Sequence, residues 1–117
     1  MISAPTASAV DYCDSAGFTA TSEPMQRCTT LTNGILAVKQ ASNGLIGTEY
    51  YKKSGSAVSI KLGYSRSGTS HYASAVSISS GQTKLKNWSL GESAYCSNII
   101  GLMSASGSTY QTPTSHC

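Results

Sequence analysis

Hydrophobic and polar side chains alternate through the middle of the chain. Between residues 57 and 65, every second position is apolar or aromatic, and these positions are Val58, Ile60, Leu62 and Tyr64. Because successive side chains of a strand point to opposite faces of its sheet, the alternation predicts a strand with one buried and one solvated face. No stretch of normal helical length carries a 3.6-residue apolar stripe, so the pattern favours strands over helices throughout.

Short turn signals separate this segment from its neighbours. Asn33-Gly34 and Asn43-Gly44 favour two-residue hairpin turns, because Asn and Gly both accept the positive φ that type I′ turns require. Ser-Gly pairs and a Leu-Gly pair mark the later turns, and the signals recur roughly every ten to thirteen residues. The predicted strands cover residues 28–32, 35–39, 45–53, 57–65, 70–79, 82–89, 93–103 and 108–112.

Regular turn spacing of this kind predicts an all-β fold. We expect an antiparallel β-sandwich, or a barrel, of about seven to eight strands joined by short hairpin turns. The length of 117 residues fits one domain with one modest core. Residues 1–10 are small and polar without periodicity and are predicted to be a flexible lead-in, so residues 11–117 would form a single secreted β-domain.

The four cysteines lie two near each end of the chain, at Cys13, Cys28, Cys96 and Cys117. An even count in a small Ser- and Gly-rich sequence predicts two disulfides formed in an oxidising compartment. Cys13 with Cys28 and Cys96 with Cys117 are the favoured pairs, because both are local and each closes a loop without strong strand signals. Cys28 with Cys96 remains the main alternative, as a tie through the core. No Cys-x-x-Cys pair is present, so a metal site is not expected.

Composition and charge indicate in which compartment the protein functions and which classes of partner are expected. Only 11% of residues are charged and Ser, Thr and Gly are abundant, which is typical of extracellular β-proteins. The net charge of +3 comes from scattered basic residues, so no nucleic-acid partner is expected. No apolar run of membrane-spanning length is present, and Met1 is expected to replace a removed signal peptide. The chain resembles small exported bacterial proteins, and we expect a secreted monomer that needs no cofactor.

Extending the alternation to the two neighbouring strands predicts their core positions, which are Ile46, Thr48 and Tyr50 on one side and Tyr72, Val76 and Ile78 on the other. The opposite faces would form one exposed patch. Its members are Glu49, Tyr51, Lys61 and His71, with Arg66 at the rim. Tyr51 is the best candidate for a binding ring, because tyrosine supplies contact area at little entropic cost. Glu49 would pair with Lys61 across the strands.

Three functions are compatible with these residues. The leading hypothesis is a non-enzymatic binding protein that contacts a cell-surface polysaccharide or a secreted protein through this patch or through loops. A protease inhibitor or antibacterial protein would instead present a loop tethered by a disulfide, within residues 13–28 or 96–117. A small ribonuclease would need Glu49 as base, His71 as acid and Arg66 for the phosphate, all in one cleft.

Overall fold

Nine strands and one short 3₁₀ turn form the structure, a computed structural model that describes residues 10–117. The strands are β1 (Gln26–Leu31), β2 (Gly34–Gln40), β3 (Leu45–Lys52), β4 (Val58–Arg66), β5 (Thr69–Tyr72), β6 (Val76–Ile78), β7 (Thr83–Ser89), β8 (Ile99–Ala105) and β9 (Ser108–Gln111), and the 3₁₀ turn is Glu92–Ala94. The all-β prediction is confirmed. Within these residues no helix is long or apolar enough to cross a lipid bilayer. The predicted lead-in, residues 1–10, lies outside the described residues except for Val10.

The strands form two antiparallel sheets that pack as a sandwich. The first sheet has the order β1-β2-β3-β7, and the second has the order β5-β4-β8-β9 with β6 also paired to β4. Asn33-Gly34 and Asn43-Gly44 do connect paired strands, as predicted. Ser54-Gly55 instead lies where the chain crosses from the first sheet to the second. As a result, β3 and β4 are neighbours in sequence but belong to different sheets.

The inward faces of the two sheets form the core. One cluster lies toward one end of the sandwich and consists of Leu36, Tyr50, Ile60, Leu62, Ile78 and Met103. A second cluster lies toward the other end and consists of Val38, Ile46, Tyr64 and Ile99, with Trp88 and Leu90 packed against it. The predicted inward positions of β3 and β4 are therefore confirmed. Thr48 is also buried, and its Oγ1 donates a hydrogen bond to the carbonyl of Gly63 in the other sheet at 2.8 Å.

Gly101 marks a close approach between the sheets. A β-carbon at this position would lie only 2.8 Å from Cβ of Val38 on β2. Beside it, Thr112 is buried and its Oγ1 accepts a hydrogen bond from the amide of Gly101 at 2.9 Å. The missing side chain therefore allows β2 and β8 to pack closely.

Both predicted disulfides, Cys13–Cys28 and Cys96–Cys117, are present. They hold the segments that precede β1 and follow β9 against the sandwich. Arg27 adds to this restraint, because its guanidinium donates hydrogen bonds to carbonyls of residues 16, 17 and 114 at 2.8, 3.0 and 3.1 Å.

The predicted strand over residues 70–79 is wrong in its register. Gly63 of β4 pairs with Tyr72, whereas Ile60 pairs with Val76, so three steps along β4 correspond to four along the edge. The extra residue reverses the alternation between β5 and β6. Tyr72 is consequently 41% exposed on the outer face, and Val76 is 41% exposed at the open edge, so neither belongs to the core as predicted. Ile78 is buried as expected.

Candidate functional site

The structure does not form the predicted patch. Glu49 and Tyr51 lie on β3 in the first sheet, whereas Lys61 and Arg66 lie on β4 and His71 on β5 in the second sheet. The prediction assumed that β3, β4 and the next strand pair in sequence order. Because the chain changes sheets after β3, these side chains share no common surface.

Glu49 is the clearest correction within that patch. Its side chain is only 1% exposed, and Lys39 Nζ on the neighbouring β2 lies 3.0 Å from its Oε1, so Lys39 and not Lys61 is its ionic partner. Neither carboxylate oxygen has a hydrogen bond of regular geometry to the described residues. Burial raises the pKa of Glu49, and the charge of Lys39 opposes this only in part. Tyr51, on the same face of β3, is partly buried.

Arg66 and His71 lie on the side of the second sheet that faces the interior. The His71 ring stacks on Tyr64 with a centroid separation of 4.8 Å, so it lies on the inward face and not on the predicted outer face, although His71 is exposed as expected. Arg66 shares its strand face with Tyr64 and is partly buried. Glu49 projects from the opposite, outer face of the first sheet. The three residues therefore do not form the single cleft that the ribonuclease hypothesis requires. Lys61 is exposed on the outer face of β4, as expected.

The disulfide at Cys13 tethers a closed turn. Oδ1 of Asp14 accepts hydrogen bonds from the amides of Ala16 and Phe18 at 2.9 and 2.8 Å, and the amide of Asp14 donates to the Phe18 carbonyl at 3.0 Å. Ser15 and Ala16 form its exposed tip. A rigid tethered loop of the kind expected for an inhibitor is thus present within residues 13–28.

A concave site lies at one end of the sandwich, where the β1–β2 turn, the β3–β4 connection and the β8–β9 turn meet. It is a groove of about 560 Å³. We call it the end groove, and the lining residues that matter below are Asn33, Tyr50, Lys52, Ser56, Ile60 and Tyr110. Mixed polar and apolar lining of this kind is typical of small-ligand sites.

Lys52 is the most unusual residue of the end groove. It continues the inward face of β3 after Tyr50, and it is only 3% exposed. The connection after β3 folds against it, since a β-carbon on Gly55 would lie 3.1 Å from its Nζ. The chain has five carboxylate side chains, and all of them belong to residues 10–117. The only ion pair in this part of the chain is Lys39–Glu49, so no carboxylate side chain lies within 4 Å of the Lys52 ammonium.

Two tyrosines contribute rings to the end groove. Tyr50 is 4% exposed, whereas Tyr110, on the edge strand β9, is 36% exposed. Both residues line the groove, and burial raises the pKa of Tyr50, with the Tyr110 phenol raising it further. Gly34 leaves room for the Tyr50 ring, since a β-carbon there would lie 2.9 Å from the phenolic oxygen.

Sequence reasoning missed Lys52 and Tyr110. A signal for Lys52 exists, because it follows the parity of Ile46, Thr48 and Tyr50 and the alternation therefore places it inward. Tyr110 has no comparable signal, since its place in the end groove depends on how β9 aligns with β8.

A second groove of about 490 Å³ opens between β7 of the first sheet and β5 and β6 of the second. Lys84, Lys86 and Trp88 share one face of β7 and line it together with Leu62 and Val76. Lys84 is partly exposed and Lys86 is exposed, so both can be hydrated. This edge groove therefore lacks the buried lysine side chain that distinguishes the end groove.

No protein-family model matches this chain, and no curated protein or solved structure was found to be significantly similar to it. Its function is therefore inferred from the side chains and their surroundings.

Proposed function

We propose that this protein is a secreted, non-enzymatic β-sandwich that binds a saccharide of a cell-surface polysaccharide in the end groove. The observation that supports this most directly is the presence of Tyr50 and Tyr110 in one concave site with the Asn33 amide and the Ser56 hydroxyl. Sugars combine apolar C–H faces with hydroxyl groups. Tyrosine rings pack against the former, and amide and hydroxyl side chains hydrogen-bond the latter.

The chemistry of the lining favours binding without turnover. Hydrolysis of a glycosidic bond generally uses two carboxyl groups that flank the scissile bond. The described residues that line the end groove include no carboxylate and no histidine. Two disulfides are consistent with an oxidising, extracellular environment, where a polysaccharide would be met.

A saccharide fits this site better than a protein surface does. Stable protein interfaces bury about 800 Å² on each partner and need an extended area of contact. The end groove is a local depression at the tip of the sandwich, bounded by three turns, which suits a few sugar units. The disulfide-tethered turn at Ser15 and Ala16 is the feature that would support protease inhibition instead.

The test is a calorimetric titration with a panel of neutral and acidic oligosaccharides, followed by comparison of two tyrosine variants. Tyr110→Ala should weaken binding of any positive ligand by about tenfold, because a packed aromatic ring contributes on the order of 1 to 2 kcal/mol. Tyr12→Ala is the matched control, since Tyr12 is 52% exposed and lies outside the end groove.

Equal weakening by the two substitutions, or none by Tyr110→Ala, would place the saccharide elsewhere on the protein. If no oligosaccharide binds the wild-type protein, the proposal is wrong, and inhibition of secreted proteases through the tethered turn becomes the next function to test.

A further inference from the structure

We infer that the saccharide is acidic and that its anionic group pairs with the ammonium of Lys52, a lysine whose side chain is mostly buried. This inference rests on the proposed function and specifies its ligand class. The shared chemistry is an oxyanion on a sugar, either the carboxylate of a uronic acid or a sulfate ester.

The burial of Lys52 supports this assignment. Lysine is almost never fully buried unless an anion pairs with it, because removing an ammonium from water is costly. Lys52 is only 3% exposed and lines the end groove, yet each of the five Asp and Glu carboxylates is more than 4 Å from its Nζ. Residues 1–9 contain no acidic side chain, so they cannot supply the missing carboxylate either. An acidic ligand in the end groove would provide the anion that the protein does not.

A neighbouring donor strengthens the argument. A β-carbon on Gly55 would lie 3.0 Å from Nδ2 of Asn33 and 3.1 Å from Nζ of Lys52, so these two nitrogens are no more than about 6 Å apart. Ser54 Oγ donates to Oδ1 of Asn33 at 3.2 Å, which orients the amide so that its NH₂ group remains available. At this separation the ammonium and the amide can donate hydrogen bonds to the two oxygens of one carboxylate.

The inward direction of Lys52 distinguishes it from the other lysines. Lys53, the next residue, is exposed, as is Lys86 of the edge groove, and Lys84 is partly exposed. These ammonium groups are hydrated and need no ionic partner. Their attraction to a polyanion would be weak and would fall with salt.

The experiment uses short ligands, to avoid the general attraction between a polyanion and a protein of net charge +3. Calorimetry would compare a galacturonic acid trisaccharide, its uncharged methyl ester, and a neutral trisaccharide with and without one sulfate ester. We expect an acidic form to bind the wild-type protein at least about tenfold more tightly than its uncharged counterpart, as for a charge-assisted hydrogen bond. The carboxylate and sulfate arms identify which oxyanion is preferred.

The matched variants are Lys52→Met and Lys53→Met, which change the net charge equally. Lys52→Met should abolish the preference for the acidic form, whereas Lys53→Met should retain it. Melting temperatures measured without ligand would show that both variants are folded. Lys52→Gln provides a second, polar variant for the same binding test.

Three outcomes would overturn the inference. If the charged and uncharged forms bind equally while Tyr110→Ala still weakens both, the saccharide site stands and its acidic specificity does not. Lys53→Met could reduce the preference as much as Lys52→Met, which would indicate general charge attraction. Absence of binding by every saccharide would remove the proposed function and this inference together.

Discussion

Nζ of Lys39 lies 3.0 Å from Oε1 of Glu49, a carboxylate that is only 1% exposed. The two residues lie on adjacent strands of the first sheet and share its outer face. The attraction does not fully offset the cost of burying the carboxylate, since the pKa of Glu49 is raised. This balance makes stability depend on pH.

Glu49 should make the protein less stable as the pH rises. A raised pKa means that the folded state holds the proton more tightly than the unfolded state, whose carboxyl has its ordinary pKa of 4.5. The stabilising contribution is therefore complete below pH 4.5 and is lost as the pH rises through the raised pKa. Thermal melts between about pH 4 and 7.5 should show this trend for the wild type and a flatter profile for Glu49→Gln. Glu92→Gln, an exposed residue with the same change in charge, should retain the wild-type slope.

Gln40 connects β2 to the C-terminal segment. Its Nε2 donates hydrogen bonds to the carbonyl and Oγ of Ser115 and to the carbonyl of Ser97, and its Oε1 accepts one from the amide of Cys96. Gln40→Leu should lower the free energy of unfolding by about 2 to 4 kcal/mol, because several buried partners lose their hydrogen bonds at once. Urea denaturation would measure this, with the exposed Gln111→Leu as control; a loss for Gln40→Leu no larger than that of the control would contradict it.

The Cys13–Cys28 disulfide should contribute substantially to stability. Its cysteines are 15 residues apart, and closing a loop of that length stabilises by about 3 kcal/mol in the chain-entropy account. The double variant Cys13→Ser with Cys28→Ser should therefore show a clearly lower urea midpoint than the wild type. A midpoint that hardly moves would mean that the hydrogen bonds of Asp14 and Arg27 hold this segment without the covalent bond.

Gly101 should tolerate no side chain while Val38 faces it. Gly101→Ala should lower the free energy of unfolding by about 1 to 3 kcal/mol, because the new methyl group overlaps Cβ of Val38 and forces the two sheets apart. Val38→Gly removes that Cβ, so it should cost less stability in the Gly101→Ala background than in the wild type, and a double-mutant cycle would give the coupling. Strict additivity of the two substitutions would show that the overlap is relieved in another way.

The periodicity of side chains predicted most of the core. Ile60, Leu62 and Tyr64 lie inward as expected, because alternation is a local property of a strand and depends on no other part of the chain. A turn at Asn33-Gly34 likewise joins β1 to β2, as its sequence indicates, although neither residue has the positive φ expected of a type I′ turn. These features follow from residues that are near one another in sequence.

The candidate site could not be predicted in the same way. Whether Ser54-Gly55 forms a hairpin or a crossing between sheets depends on which strands pair over long distances, and the crossing removed the expected patch. The one-residue change of register after Tyr72 is similarly invisible to alternation. Lys52 is a different case, since its parity with Ile46, Thr48 and Tyr50 is a local signal that does place it inward.

Arg27 and the Cys96–Cys117 disulfide also determine where the C-terminal residues lie relative to the end groove. They hold the C-terminal residues near the start of β8 and the end of β2, whereas the end groove lies beyond the end of β3 and the end of β8. A tether or fusion partner joined after Cys117 would therefore sit at the opposite pole from the groove. Proteins attached to a bead or a cell by that point would display the groove toward the medium, which makes surface capture through the C-terminus the orientation of choice for binding assays.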